Sequence, residues 1–506
     1  MENYFLKFVL FLAFAALVSC NDFNSFDDPV DTDRVLAVPL FNTTTTLTDL
    51  LDGLGEETFV TVGPDDLITL NYKGNVASRV ATDLFTFLTP VLVPLEDSVT
   101  TFPFDLPGTL DVTLMSIKSG MMSYTFTNDL NEKVDLTLSI PQLVKGGIPY
   151  VNQTTLDSVS TGNNEWVVQM EDLTDYELIG DNDNLVIEYE AFRESDGERI
   201  EFAANPAVAI TDIEFSYIEG FWGTEPLDIE RDTIEIEFFE NWVQGDVFFE
   251  NPKIEITVDN GFGFPVGSEV KELKILTVDG TEIDLESSFI DNGIDFDYPA
   301  INEVGEVKTT VFDFDKDNSN VVEVLSSGPV SVDYDVDALS NPDSIQELGF
   351  MTDSSFFNIQ VGVELPFRGR VNNFQARDVF NVSFDSYDDV NFIEFKMVAE
   401  NGLPLGIDIQ VYFADENENL IDSLYTSEEN ILEAAPVDTN GDVTGVLAEK
   451  TTFATVDAEK FNKIRIAKKL IVEGLFFTTD VNDSAIVNLK SDQSVEIRMG
   501  MRVGLE

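Results

Sequence analysis

The sequence predicts a mainly β fold of tandem antiparallel β-sandwich domains with one or two short helices. Period-two alternation of apolar and polar residues dominates from residue 55 onward, as in Asp111-Val112-Thr113-Leu114-Met115, Val134-Asp135-Leu136-Thr137-Leu138 and Thr233-Ile234-Glu235-Ile236-Glu237-Phe238. Alternation rich in Val, Ile, Thr and Phe marks strands that bury one face. Gly, Asn, Asp and Pro interrupt these runs at short intervals, at Asp259-Asn260-Gly261, Asn401-Gly402 and Thr439-Asn440-Gly441-Asp442, where positive φ is cheap and a chain can turn. Such spacing suits antiparallel sandwiches better than parallel α/β units.

Composition narrows the chemistry before any motif is read. The 506 residues include 28 Lys and Arg, 95 Asp and Glu, one Cys and no His, and 43% are apolar. That apolar share fills cores, so the chain is folded and not an acidic disordered tail. Without His there is no His-based triad, general base or metal ligand, and a single Cys forms no intrachain disulfide or four-cysteine zinc site. Catalysis would rest on carboxylates, Lys, Tyr or hydroxyls. A formal charge of -67 repels phosphate backbones, which excludes nucleic acid as a partner.

The first element is a secretory signal over residues 1–19: Lys7, an apolar run from Phe8 to Val18, then Ser19 before Cys20. The run is too short to span a bilayer, and no later apolar run reaches 18 residues. Leu17-Val18-Ser19-Cys20 resembles the bacterial lipobox, which implies cleavage before Cys20 and acylation of its thiol. Acyl chains anchor durably because each buried methylene contributes about 0.8 kcal/mol. Residues 20–50 are expected to be the lipidated Cys and an acidic tether. Asp22, Asp27 and Asp28 in it resemble the surface-export signals of Bacteroidota lipoproteins, which implies the outer membrane and its cell-surface face; the periplasmic face is the alternative.

Next comes a weak internal repeat. Tyr124 to Pro141, Ile254 to Val266 and Phe395 to Leu405 each read as a strand, then Asn128, Asn260 or Asn401, a short break and a further strand. Pro265 and Pro404 stand after the break in the second and third copies, where a residue that cannot donate to a ladder suits strand entry. Centres about 130 to 140 residues apart fit successive β domains and not a solenoid. The expected division is 51–210, 211–370 and 371–506, the last with a helix near 457–473. The pattern resembles immunoglobulin-like, late-embryogenesis type 2 β-sandwiches, although Asn251-Pro252 falls before the second strand and not at its turn. Lipobox, acidic tether and Phe-rich strands together resemble large outer-membrane lipoproteins of Bacteroidota, which implies a location and an architecture but no catalytic residue.

Two helices are expected. One falls within Asn75–Val93, around Val80, Leu84, Phe87 and Leu88, and ends at Pro90. The other starts from Asp457 as N-cap and places Phe461, Ile464, Ala467 and Ile471 on one face until Gly474.

Three groups are candidate sites. Lys460, Lys463, Arg465, Lys468 and Lys469 form a basic segment suited to docking an acidic partner or lipid headgroups; the plainer reading is a solvated face balancing nearby carboxylates. Phe221, Trp222, Trp242, Phe248 and Phe249 concentrate aromatics for a glycan or protein surface, against the plainer reading of core packing. Asp313, Asp315 and Asp317 begin like an EF-hand calcium loop, but Asn318 replaces the turn Gly and Val324 the twelfth-position Glu, so Asx turns are the plainer reading. Asp181-Asn182-Asp183-Asn184 and Asp438 to Asp442 are similar turns. Triplets such as Asp97-Ser98-Val99 and Asp343-Ser344-Ile345 resemble O-glycosylation acceptors of Bacteroidota.

The expected function is a non-enzymatic, lipid-anchored accessory or scaffold subunit of an outer-membrane protein complex, without cofactor unless calcium binds. Its partners are outer-membrane lipid, reached through acylated Cys20, and that complex. The alternatives are a surface glycan-binding lipoprotein and a β-fold protein that holds lipid in an apolar groove.

Overall fold

The structure, a computed structural model, describes residues 34–51, 58–84, 91–103, 110–180, 184–202, 206–227, 231–235, 242–382, 390–480 and 484–505. It is mainly β, in multiple antiparallel sheets. Cys20 and the signal segment lie outside the described residues, as do Asp181, Asn182 and Asp183.

The first, second and third sandwiches are those that hold the first, second and third repeat copies, and in the second and third the repeat Asn stands where the chain leaves one sheet for another. In the first, strands Asp111–Thr127 and Val134–Lys145 belong to one ten-stranded sheet that the short strand Glu177–Ile179 bridges. Met115, Met122 and Phe126 on one side pack with Leu136, Leu138 and Ile187 on the other. In the second, Lys253–Asn260 lies in a five-stranded sheet and Val266–Thr277 in a six-stranded one. In the third, Val390–Asn401 lies in a four-stranded sheet and Leu405–Ala414 in a seven-stranded one, with Ala399, Val456 and Ile497 packed on Ile409, Val411 and Val472.

Chain order and spatial order differ. Strand Arg34–Thr46 pairs with Ser494–Leu505, beginning at Arg34 opposite Leu505, so it is a member of the third sandwich. Strand Ile68–Val80 pairs with Phe356–Pro366 in the second sandwich, and only after it does the chain build the first. The expected tether of residues 20–50 therefore overlaps a strand and the short helix Leu47–Leu51. The expected divisions near 210 and 370 fall inside strands Ala207–Phe221 and Arg368–Asn381. Strand Leu348–Thr352 pairs with Ala207–Phe221, and Trp242–Phe249 pairs with Arg368–Asn381, so both divisions are crossed by hydrogen-bonded ladders.

The two expected helices fare differently from their periodicity. Asn75 to Val80 finish a strand and Ala81–Leu84 is helical, while Phe87, Leu88 and Pro90 lie outside the described residues. Asp457 does cap a helix, accepting the Lys460 N–H at 2.8 Å, but that helix is Ala458–Ile464. Lys469–Thr478 is a strand inserted between Arg368–Asn381 and Leu405–Ala414, so Ile471 and Gly474 satisfy their backbone across two ladders. Two neighbouring strands outweigh a local helical spacing of four apolar residues.

Candidate functional site

The clearest constellation in the structure is the set of three corner asparagines, each fully buried. Asn128 Oδ1 accepts the Leu130 N–H at 2.9 Å, and its amide donates to the carbonyls of Glu132 and Asp157, both at 2.8 Å. Asn401 repeats this pattern, accepting from Leu403 N at 2.9 Å and donating to Leu405 O at 2.9 Å and Glu433 O at 2.7 Å. Asn260 accepts from Phe262 N at 2.9 Å and donates to Asp297 O at 3.2 Å. Asn is the residue for this task because it offers an acceptor and two donors on a short stem, which a buried layer change needs for its unpaired backbone groups. These positions are layer corners, not the hairpin turns that Asn-Gly suggested; a two-residue hairpin stands instead at Gly146 and Gly147, with φ of 59° and 80°. The repeat revealed the Asn, but not its reach to carbonyls some thirty residues downstream.

The basic segment is divided by the helix ending at Ile464. Lys460 Nζ donates to the Leu424 carbonyl at 2.8 Å, and Lys463 pairs with Asp422 at 3.0 Å. Lys469 reaches Glu418 at 2.9 Å, which also takes Arg377 at 2.7 Å. Arg465 and Lys468 are engaged as well. These cations hold the helix and the following strand to residues 418–424. Lys463 and Lys460 hold Asp422 below the ordinary carboxylate range against the opposing effect of burial, and Arg377 and Lys469 do the same for Glu418.

The aromatic group does not converge. Trp222 is buried, stacked on Phe264 at 3.9 Å, and belongs to the core shared by the first and second sandwiches. Phe249 is buried in a separate core with Ile254 and Phe314. Phe248 lies under the Arg370 guanidinium at 4.4 Å, and Phe221 is half-buried at the end of its strand. The Trp242 side chain lies outside the described residues.

The acidic turn is closed by its own hydrogen bonds. Asp315 Oδ1 accepts from Asp317 N at 2.8 Å, Asn318 Oδ1 from Asp315 N at 3.0 Å, and Asn318 donates to Asp313 O at 2.8 Å. Asp313 itself ends a strand and pairs with Lys253 at 3.0 Å. Among the described residues no three acidic or Cys side chains gather as metal ligands, so Asp313, Asp315 and Asp317 are not brought together as a calcium site. Asp438 likewise accepts from Asn440 N and Asp442 N within its own turn.

One buried polar group had no sequence signal. Tyr124 and Tyr150 share a hydrogen bond of 2.9 Å, and Asn152 donates to the Tyr124 hydroxyl at 2.7 Å. Burial pushes both phenols upward, so they stay protonated at neutral pH.

No protein-family model and no curated protein matches the chain. Among solved structures, a Parabacteroides distasonis protein described as secreted aligns over 93% of this chain and 99% of its own at 11% identity, with a TM-score of 0.27. The VP2 subviral particle of infectious bursal disease virus aligns over 80% and 75% at 9% identity, with a TM-score of 0.15. Scores of this size carry no argument about what the present chain is or does.

Proposed function

We propose that the protein is a lipid-anchored outer-membrane lipoprotein, exposed at the cell surface, that serves as a non-enzymatic accessory or scaffold subunit of an outer-membrane complex. The observation that carries this reading is Cys20, the single Cys of 506 residues, placed directly after an apolar run and Leu17-Val18-Ser19. No helix among the described residues is long and apolar enough to cross a membrane, so an acyl anchor would supply the attachment. The non-enzymatic part is supported by the sequence, which holds no His and one Cys and so no His-based triad, His general base or four-cysteine site.

The test is to isolate the native protein from gently solubilised outer membranes and measure both its intact mass and what accompanies it. Because Arg34 pairs with Leu505, a C-terminal tag would sit beside the tether; the Gly146-Gly147 hairpin of the first sandwich is the better insertion point. An acylated Cys20 with a stoichiometric β-barrel partner supports the reading. An unmodified Cys20 removes the anchor, and recovery of the acylated protein alone removes the accessory role.

A further inference from the structure

We propose that the free edge of strand Ile148–Leu156 in the first sandwich is a strand-pairing site for an extended segment of a partner protein that carries Lys or Arg at alternate positions. This deepens the accessory reading above and rests on it for the existence of a partner.

The direction of the backbone groups follows from the neighbouring strands. Tyr189 N–H donates to the Ser98 carbonyl at 2.9 Å, away from Val134–Lys145. Residues of an antiparallel ladder bond their two sides alternately, so Glu188 bonds Ser139, and Leu138 in turn bonds Asn152. Tyr150, Asn152 and Thr154 therefore bond Val134–Lys145, whereas Val151, Gln153 and Thr155 turn their N–H and C=O groups to the opposite edge. No strand pairs with that edge among the described residues. Gln153 N–H is taken by the neighbouring Asn152 Oδ1 at 3.0 Å. The N–H groups of Val151 and Thr155 and the carbonyls of all three residues are left for an incoming chain.

This edge lacks the devices that normally keep edges from pairing. Its nine residues hold no charge in a chain that is 24% charged, and Ile148 and Val151 are 72% and 54% exposed. Its one proline, Pro149, stands at the entry, before the free donors. Other edges are guarded: Arg34–Thr46 by Pro39 and a bulge, Ala448–Asp457 by Glu449, Lys450 and Asp457, and Glu165–Asp172 by three acids and a register break. Thr58–Val62 is uncharged but has only five residues.

Charge chooses the occupant. The outward-facing rows run Val151, Ser139, Glu188, then Gln153, Thr137, Glu190, then Thr155, Asp135, Phe192. Three carboxylates stand in these rows; the cation in line with them, Arg199 opposite Phe192, is farthest from the edge and bonds Ser98 Oγ at 3.1 Å. At the two ends of the strand Lys145 donates to the Thr174 carbonyl at 2.8 Å and Lys133 pairs with Asp157 at 3.2 Å. Lys or Arg side chains of an added strand, leaning back across Val151, Gln153 and Thr155, approach the three carboxylates. A second copy of the chain brings a like charge of -67 and no cation in this strand, so it is repelled where a basic segment is drawn in.

The experiment titrates the full mature chain with a synthetic peptide of alternating Lys and Val, as long as the strand itself, and follows hydrogen exchange at Val151 N and Thr155 N. Exchange at both is expected to slow about tenfold on binding. A fully N-methylated peptide keeps the charge but has no backbone donors, and should bind about tenfold more weakly. The unmodified peptide should lose a similar factor against Val151→Pro, whose missing N–H faces the free edge and not the ladder. Equal binding of the N-methylated peptide, or of one with Glu in place of Lys, overturns the proposal, as does protection at Val167 on the Glu165–Asp172 edge instead. Dimerisation of the peptide-free protein with protection at Val151 and Thr155 assigns the edge to a second copy and also overturns it. The accessory reading fails by a different measurement, recovery of the acylated native protein alone. For that comparison the tag belongs at the open turn of Gly280, because Gly146 and Gly147 lead into this edge.

Discussion

Replacing Asn401 by Ala should be among the most damaging single changes in the third sandwich. Asn401 is fully buried, and the truncation strands one N–H, of Leu403, and two carbonyls, of Leu405 and Glu433. An unsatisfied buried polar group costs about 1–3 kcal/mol, and three such groups with some relaxation predict a loss of about 3–5 kcal/mol. Asn128→Ala strands the same number of groups and should match it in the first sandwich, whereas Asn260→Ala strands two, one of them at 3.2 Å, and should cost less. Asn401→Asp should be worse than Ala at neutral pH, because it removes both donors and places a carboxylate against two carbonyls. Native-state hydrogen exchange is the assay, since it reads each region's opening free energy separately. For Asn401→Ala, protection should fall in 390–414 and stay near wild type in 111–145. A loss below about 1 kcal/mol, or an Asp variant as stable as Ala, would refute the idea that this side chain satisfies the layer corner.

Asp457→Ala should destabilise the Ala458–Ile464 helix by about 1 kcal/mol, read as faster exchange at Lys460 N. Gly441→Ala should cost more than about 1 kcal/mol in chemical denaturation, because φ is +85° and a Cβ would collide with the Ile486 carbonyl. Asp442 is held below its ordinary pKa by Lys490 and Asn488, so it binds protons more weakly folded than unfolded; its contribution is present above the ordinary carboxylate pKa and disappears as pH falls through the folded value. Asp442→Asn should therefore flatten the acid limb of a melting-temperature profile. Millimolar calcium should raise the melting temperature no more than sodium of equal ionic strength, and a calcium-specific rise abolished by Asp315→Asn would revive the acidic turn as a site.

Much of the architecture was legible in the residues themselves. A period of two needs only local order to be seen, so the strands around 111–115 and 134–138 read directly. The repeated Asn was visible because each sandwich meets the same problem of unpaired backbone at the same point in its chain. The cap at Asp457 was equally local. Whether the cations after it formed a patch was not: Lys463 and Lys469 find Asp422 and Glu418, some forty to fifty residues earlier, through strands that only the fold brings alongside.

By itself, then, the sequence determined a mainly β chain with a strongly acidic composition and a thrice-repeated Asn between strands. Those properties follow from side-chain chemistry and local spacing. Tertiary structure alone decided that Arg34 meets Leu505, that Ile68–Val80 joins the second sandwich before the first is built, and that the helix stops at Ile464. Backbone ladders are the reason. Their hydrogen bonds are the same for nearly every residue type, so a strand's partner is chosen by the burial of whole faces and not by any signal within the strand.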